Sequence, residues 1–464
     1  MDILLTHGYF LRHDPHELKV MKPYPPLGLL HLSSYLKAKG FDVAVFDSTF
    51  SSGSAFEEFM RRERPSIVGF YCNLMNRKRV FELIAICRET GAIVVVGGPE
   101  PANYPEEYLA RGADVVVVGE GELTLEELVP HLVGRGPRSM HRIRGLVYRE
   151  EDGALVRTEP RPFIRDLDSL PFPDREAVDI HRYVRVWREH HGRGSVSLIT
   201  SRGCPYTCTW CSHGVFGYSH RGRSPRHVAD EVELIREEYE PDMLWYADDV
   251  FTLNPRWFSA YAEELKRRDL LIPFETISRE DRLDEEIIRT LAELRCFRLW
   301  IGAESGSQRI LDAMKRRTNA ARVREMVRML QRYGIEAGLF VMLGYEGEEL
   351  SDLEETVGHL KAANPDVFLT TVAYPIKGTP YFEQVETRVI ASKTFETSSD
   401  RDLTVAGRHS QRFYRFANRW MVSEVAFHKQ WDSRPNYPRA LKAFASAKIG
   451  RLGMWATRHE TEGA

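Results

Sequence analysis

Three of the six cysteines, Cys204, Cys208 and Cys211, fall within eight positions, and cysteine at that density points to metal chemistry. The run Arg202-Gly203-Cys204-Pro205-Tyr206-Thr207-Cys208-Thr209-Trp210-Cys211 follows the apolar stretch Val196 to Thr200. That stretch reads as a strand, so the CxxxCxxC triplet lies in the loop at its end. Thiolates bind iron-sulfur clusters, and a cubane normally takes four protein ligands. Three ligands leave one iron open, able to chelate an amino group with a carboxylate and pass an electron to a nearby sulfonium. A structural zinc site wants four closed ligands, which His213 could complete. The strand-loop placement and Trp210 between the last two cysteines fit the cluster better. Cys72, Cys87 and Cys296 lie far apart, a poor disulfide framework that fits a reducing compartment. Cys72 and Cys296 read as small buried hydrophobes rather than catalytic thiols.

These residues need a scaffold, and 464 residues suffice for two large domains plus an appendage. With 43% hydrophobic and 28% charged residues and no low-complexity tract, the whole chain should fold. Lys plus Arg (64) nearly balance Asp plus Glu (67). No global field therefore draws in nucleic acid or an anionic membrane; either would need a local patch. The start, Met1-Asp2-Ile3-Leu4-Leu5, lacks a basic region, and no apolar run is long enough to span a bilayer. The expectation is a cytoplasmic protein without a transmembrane segment or nucleic-acid partner.

The expected fold class is α/β. Residues 1–139 alternate apolar strands (Ile3 to Thr6, Val43 to Phe46, Ile67 to Tyr71, Ala92 to Val96, Val115 to Val118) with amphipathic helices. This predicts a Rossmann-like parallel sheet covered on both faces. Gly97-Gly98-Pro99 and Gly119-Glu120-Gly121-Glu122 fall at carboxyl ends of strands, where ligands sit in such sheets; several such turns suit a broad, flat ligand, although a ligand-free structural domain would also contain turns. Residues 140–190 read as an ordered, Pro-containing connector. In 191–390, strands near Val196 to Thr200, Met243 to Tyr246, Pro273 to Ile277, Arg298 to Ile301, Gly338 to Met342 and Val367 to Val372 predict a partial (β/α)6 barrel. Residues 391–464 predict a helical appendage.

The CxxxCxxC spacing with an aromatic just before the third cysteine resembles the signature of the radical S-adenosylmethionine (SAM) superfamily, and the resemblance runs along almost the whole chain. It implies a 4Fe-4S cluster held by Cys204, Cys208 and Cys211, with Trp210 beside SAM. It further implies that Asp248 and Asp249, in Tyr246-Ala247-Asp248-Asp249-Val250-Phe251-Thr252, hold the SAM amino group. Ser278 and Arg279 would meet its carboxylate, and Glu304 and Ser305 its ribose. Local chemistry offers other roles. One of the two aspartates is expected to cap the helix starting near Asn254-Pro255, Arg279 could pair with a neighbouring acid, and Ser305 could cap Gln308 to Met314. Pro375-Ile376-Lys377-Gly378-Thr379-Pro380 matches another family loop, whereas Tyr345-Glu346-Gly347-Glu348 stands where relatives usually carry Pro-Gly-Glu.

The amino-terminal part resembles the cobalamin-binding domain of a branch containing methyltransferases and an anaerobic porphyrin-ring cyclase. The matching segments are Pro25-Pro26-Leu27-Gly28-Leu29, Asp47 and the two glycine-rich turns. Cobalamin contacts are thereby implied at Pro26, Leu27, Gly28, Asp47, Ser48, Cys72, Asn73, Gly97, Gly98, Pro99, Gly119, Glu120, Gly121 and Glu122. The DxHxxG motif of many cobalamin domains is altered here to Asp14-Pro15-His16-Glu17-Leu18-Lys19, and His16 reads as a solvated loop residue. The branch often lacks that ligand. The implied reaction is methylation of an unactivated carbon of a small molecule or lipid. One SAM would methylate the cobalt and another yield a 5'-deoxyadenosyl radical, the substrate radical then taking the methyl from methylcobalamin. An external flavodoxin- or ferredoxin-type donor would supply electrons. The alternatives are a cyclase or rearrangement enzyme without methyl transfer, and a non-enzymatic cobalamin or SAM sensor. Arg439, Lys442, Lys448, Arg451 and Arg458 lie among Leu441, Phe444, Ile449, Leu452 and Trp455; packing of that stripe on the barrel is expected, with a membrane-surface helix as the alternative.

Overall fold

The computed structural model describes residues 1–134, 139–432 and 436–463; residues 135–138, within the expected first domain, and 433–435 and Ala464, within the expected helical region, lie outside the described residues. The chain forms two compact units: Met1–Pro205 with Ser212–Ala247 and Lys393–Ser399, and Tyr206–Cys211 with Asp248–Ser392 and Asp400–Ala464.

In the first unit a seven-stranded sheet runs in the order β2-β1-β3-β4-β5-β6-β7, from β1 (Ile3–Thr6), β2 (Val43–Phe46), β3 (Ile67–Tyr71), β4 (Ile93–Gly97), β5 (Val115–Val117), β6 (Leu146–Arg149) and β7 (Leu155–Arg157). The first five pair in parallel, as in Leu4↔Val68 and Val95↔Val115. Alternation explains their continuous hydrophobicity. Leu4, Val68, Val94 and Val96 bury against one face with Phe56, Val80 and Tyr108. Ile3, Leu5, Ile67 and Val95 bury against the other with Leu29, Leu36 and Leu128. The faces are covered by helices that include α1 (Leu27–Ala38), α2 (Gly53–Glu63), α3 (Arg77–Glu89), α4 (Pro105–Ala110) and α5 (Glu122–Leu132). Within the expected connector, β6 and β7 instead extend the sheet antiparallel.

The same unit holds α6 (Ile180–His191), β8 (Ser195–Leu198), α7 (Pro225–Tyr239) and β9 (Met243–Tyr246), with β8 and β9 parallel. The late segment Lys393–Ser399 also belongs to it. Phe395 lies 5.0 Å from the Tyr104 ring and 5.9 Å from Phe81. Arg111 donates to Glu396 at 2.6 Å.

The second unit contains α8 (Pro255–Arg267), β10 (Phe274–Ser278), α9 (Glu285–Glu293), β11 (Cys296–Glu304), α10 (Gln308–Ala313), α11 (Ala320–Arg332), β12 (Glu336–Leu343), α12 (Leu350–Ala363), β13 (Val367–Val372) and α13 (Pro380–Val385). Strands β10 to β13 pair in parallel in sequence order. All six strands expected between residues 191 and 390 are present, β11 extending well beyond Arg298 to Ile301. The cap of α8 corrects an expectation: it is Asn254, whose side chain accepts from Trp257 N, and neither Asp248 nor Asp249. Asparagine in that position reaches the free amides of the first turn, as the more distant aspartates do not.

The carboxyl end is helical, in α14 (Gln411–Asp432) and α15 (Tyr437–Thr457), preceded by a short antiparallel pair, β14 (Val389–Ala391) and β15 (Leu403–Val405). A second correction concerns α15. Leu441, Phe444, Ile449, Leu452 and Trp455 do not pack on the barrel; all are exposed, because the buried face of the helix is made of Ala440, Ala447, Gly450, Met454 and Thr457. Among the described residues no helix is long and apolar enough to cross a membrane.

Candidate active site

Ser201–Arg202 pairs antiparallel with Arg221–Gly222, and the chain then turns at Gly203 (φ +85°), where a Cβ would lie 2.4 Å from Ser219 O. Only glycine fits both the conformation and the space, and it delivers Cys204, the last residue but one of this stretch of the first unit. In the second unit, Tyr206–Cys211 is pinned through Thr209. Its N–H donates to Met314 O at 3.1 Å, its carbonyl accepts from Tyr381 N at 2.9 Å, and its hydroxyl is 2.6 Å from Tyr345 OH. Trp210 packs on the apolar cluster of Ile310, Met314, Met342 and Tyr345.

Cys208 and Cys211 are brought together. A hydrogen bond from Cys211 lowers the Cys208 pKa, burial opposes this, and the Arg279 guanidinium, 3.9 Å from Sγ, lowers it again, to about 7. A large thiolate fraction at neutral pH is the form that binds iron, so the donor set fits a cluster. Among the described residues no group of three or more His, Cys, Asp or Glu side chains is gathered as ligands of one metal ion.

The residues expected around SAM are mostly engaged. Arg279 donates from Nε to Asp281 at 2.8 Å and from Nη2 to Arg316 O at 3.0 Å, and it stacks 3.6 Å from the Tyr206 ring centre. Its fork is thus occupied by a neighbouring acid and a carbonyl. Ser278 Oγ lies 2.6 Å from Thr252 Oγ1. Ser305 Oγ accepts from Ser307 N at 3.1 Å, while Ser307 itself holds the cap position of α10. Asp248 is buried and Asp249 exposed. Glu304 sits at the β11 bulge with φ +58°. Part of its surface stays open, yet enough protein surrounds it that burial, then the Cys208 and Glu280 charges, push its carboxyl up to about 8.

A cavity of about 120 Å³ opens in the first unit beyond the carboxyl ends of β1, β3, β4 and β5. Of the expected cobalamin residues, Gly28, Gly97, Gly98, Gly119, Glu120, Gly121 and Glu122 line it; Pro26, Leu27, Asp47, Ser48, Cys72, Asn73 and Pro99 do not. Several of the latter have structural partners. Asp47 accepts from Tyr183 OH at 2.7 Å and lies 3.0 Å from His7 Nε2. Ser48 Oγ is 3.2 Å from Thr6 Oγ1, and Asn73 Oδ1 accepts from Met75 N at 2.8 Å. Cys72 is buried, with its thiol pushed well up by burial and the Glu100 charge. His16 is exposed in its loop.

Two residues at this cavity were not anticipated. Arg202 donates to Glu120 at 2.8 Å and to Glu122 at 2.6 Å, and Arg221 meets Glu120 at 2.9 Å. Both acids are thus committed to ion pairs. Burial works against the Arg202 charge, but Glu122 and Glu120 outweigh it and raise its pKa. His31 lines the cavity with a buried, unpartnered Nδ1. Burial first, then the Arg202 charge, lower its pKa to about 3, so the imidazole is neutral. Its position three after Gly28 on one face of α1 was a legible signal. An open glycine edge, apolar walls at Leu5 and Val95 and one unspent imidazole nitrogen suit the edge of a ligand that presents both apolar surface and hydrogen-bonding groups.

Comparison with known proteins identifies the family. The radical SAM superfamily model matches residues 198–360 and the B12 binding domain model residues 18–129. An uncharacterized methyltransferase of Pyrococcus horikoshii is 30% identical over 77% of this chain and 78% of its own. The chain belongs to the radical SAM superfamily. This radical SAM protein is also 26% identical to the anaerobic magnesium-protoporphyrin IX monomethyl ester cyclase of Rubrivivax gelatinosus, over 93% of this chain and 82% of the cyclase. Its fold matches the cobalamin-dependent radical enzyme OxsB solved with aqua-cobalamin and SAM (TM-score 0.76, 17% identity, 98% of this chain, 71% of that one). It also matches the radical SAM methyltransferase TsrM of Kitasatospora setae solved with cobalamin and a [4Fe-4S] cluster (TM-score 0.71, 19% identity, 98% and 99%). It is an enzyme of the cobalamin-binding branch, with a 4Fe-4S cluster, SAM and cobalamin as its cofactors.

Proposed function

We propose that this radical SAM enzyme methylates an unactivated carbon of a small molecule or lipid. The observation that carries the reading is the glycine-edged cavity with the unpartnered His31 nitrogen, in the part of the chain that the B12 binding domain model matches. When bound, the cluster and SAM supply a carbon-centred radical and cobalamin supplies the methyl carrier. Cys204, Cys208 and Cys211 hold the cluster. Arg279 positions the loop by stacking on Tyr206 and favours the Cys208 thiolate. Trp210, Asp248, Asp249, Ser278 and Ser305 belong to the SAM side, where Glu304 offers hydroxyl-binding oxygens to the ribose. Gly28, Gly97, Gly98, Gly119 and Gly121 give cobalamin close backbone approach, while Leu5 and Val95 exclude water. Pro26, Leu27, Asp47, Ser48, Cys72, Asn73 and Pro99 shape the loops behind that edge. An external flavodoxin- or ferredoxin-type donor fits the electron demand. A cytoplasmic site fits six cysteines that form no disulfide.

A second reading, ring closure or rearrangement without methyl transfer, is favoured by the likeness to the anaerobic cyclase over 93% of this chain. Turnover of reconstituted, anaerobic protein with SAM and hydroxocobalamin separates the two. Methyl transfer yields S-adenosylhomocysteine together with 5'-deoxyadenosine. 5'-Deoxyadenosine without S-adenosylhomocysteine favours the second reading, and protein that binds SAM but excludes cobalamin defeats the first.

A further inference from the structure

Helix α15 is built inside out. On its inner face Ala440, Ala447, Gly450 and Thr457 are buried against α14. A Cβ at Gly450 would lie 2.7 Å from Trp420 N, and one at Gly453 2.2 Å from the Phe416 ring, so the two helices touch backbone to side chain and no larger residue fits at these two positions. Apart from Met454, which is buried, the large apolar residues point outward: Leu441 is 64% exposed, Leu452 67% and Trp455 65%, with Tyr437, Phe444 and Ile449 also exposed. Tyr437, Leu441, Phe444, Lys448, Leu452 and Trp455 follow the three- and four-residue spacing of a single helix face. At the carboxyl end of α14 the exposed Trp431 ring continues the patch, 6.2 Å from Tyr437. A soluble helix normally buries its large residues and shows its small or polar ones. Here the order is reversed, and burying Leu or Trp in an apolar environment gains about 1.5–3 kcal/mol per side chain, so this face favours a covering layer.

Its charges say what that layer is. From Asn436 to His459 the sequence holds Arg439, Lys442, Lys448, Arg451 and Arg458 and no Asp or Glu. Lys448 Nζ sits 5.0 Å from the Phe444 ring centre and the Arg458 guanidinium 4.5 Å from that of Trp455, so cations and aromatics share one surface. Arg451 is paired with Glu354. A two-fold contact between copies of this face would set like charges against one another. A layer of acyl chains below anionic headgroups satisfies both the apolar body and the basic tips of these side chains. We propose that α15 is an interfacial helix that docks the enzyme on an anionic lipid surface. The groove of about 660 Å³ beside it, walled by Trp420, Leu452 and Trp455 with Lys448 and Arg458, lies at that surface and takes a lipid headgroup or the upper part of an acyl chain.

The test is vesicle co-sedimentation of the full-length, reconstituted protein. The probes are phosphatidylcholine vesicles with and without phosphatidylglycerol, at low and high salt. Wild type is expected to sediment with the phosphatidylglycerol vesicles at low salt, with a blue shift of tryptophan emission. Neutral vesicles, or high salt, should lower the bound fraction about tenfold. The double substitution L452D/W455D should lower it about tenfold or more, and K442E/K448E should abolish the preference for phosphatidylglycerol. All these positions are exposed, so both variants should keep wild-type iron content and helicity. Absence of wild-type binding to either vesicle, or equal binding by L452D/W455D, overturns the proposal. So does a soluble dimer that L452D/W455D converts to monomer, which would assign the face to a second copy, or binding only to an acidic protein.

Discussion

The Arg202 guanidinium lies 2.8 Å from the Glu120 carboxylate and 2.6 Å from that of Glu122, which ties the glycine-rich turn after β5 to the residue two before Cys204. One buried cation thus braces both the edge of the first-unit cavity and the entry to the cysteine loop.

Arg202→Ala should be destabilising out of proportion to its size. It leaves Glu120 with Arg221 and takes the Arg202 charge away from the buried Glu122 carboxylate, and breaking a buried pair in this way costs about 3–5 kcal/mol. Thermal melts of cobalamin-free protein should show a drop of several degrees, and Arg202→Lys, which keeps the charge but loses the fork, should recover only part of it. A melt identical to wild type for Arg202→Ala contradicts the bracing role.

Acid should expose a second buried set. Glu231 is fully buried and meets Arg175 at 2.6 Å as well as Arg223. Burial raises its pKa, but the two guanidiniums overcome this and lower it from 4.5 to about 2. The unfolded chain takes up this proton first, so the contribution is complete above pH 4.5 and fades as pH falls from 4.5 to about 2. In Glu231→Gln the melting temperature should fall at neutral pH, and the gap to wild type should narrow through that acid window. A gap constant with pH rules the assignment out.

Iron content distinguishes the cysteines. Cys208→Ala should reduce reconstituted iron to background, whereas Cys296→Ala, whose thiol is buried and raised by burial, should retain it. Equal retention in both would remove Cys208 from the ligand set.

Gly28 lines the first-unit cavity, and a Cβ there would meet nothing within 4 Å. Gly28→Phe should therefore fold normally and fill the cavity, weakening hydroxocobalamin binding about tenfold or more. Unchanged corrin absorption after desalting would place the cofactor elsewhere.

The strands and the cysteine loop were legible because their signals are local. β1, β3 and β4 are continuously apolar since alternate residues face two different cores, and Gly203 and the cysteine spacing need no partner to be recognised. What escaped depends on distant pairing. β6 and β7 are short and carry arginines at their ends, so they read as connector until β5 offers an edge. Arg202 shows its purpose only when Glu120, far upstream, folds next to it. In α15 the periodicity was visible but its direction was not, because apolar spacing alone does not reveal that glycine and alanine make the tighter contact with α14. Arg279 likewise shows its partners, Asp281 and the Arg316 carbonyl, only once β10 is in place.

The return of Lys393–Ser399 to the first unit sets a clock on biosynthesis. Phe81, Tyr104 and Tyr108 emerge early from the ribosome, but Phe395, which covers them, is made nearly three hundred residues later. At about 5–20 residues per second that is roughly 15–60 s of nascent chain with an uncovered aromatic patch. Until Phe395 is made, the first unit lacks part of its own aromatic core, so its final packing is a late, post-elongation step.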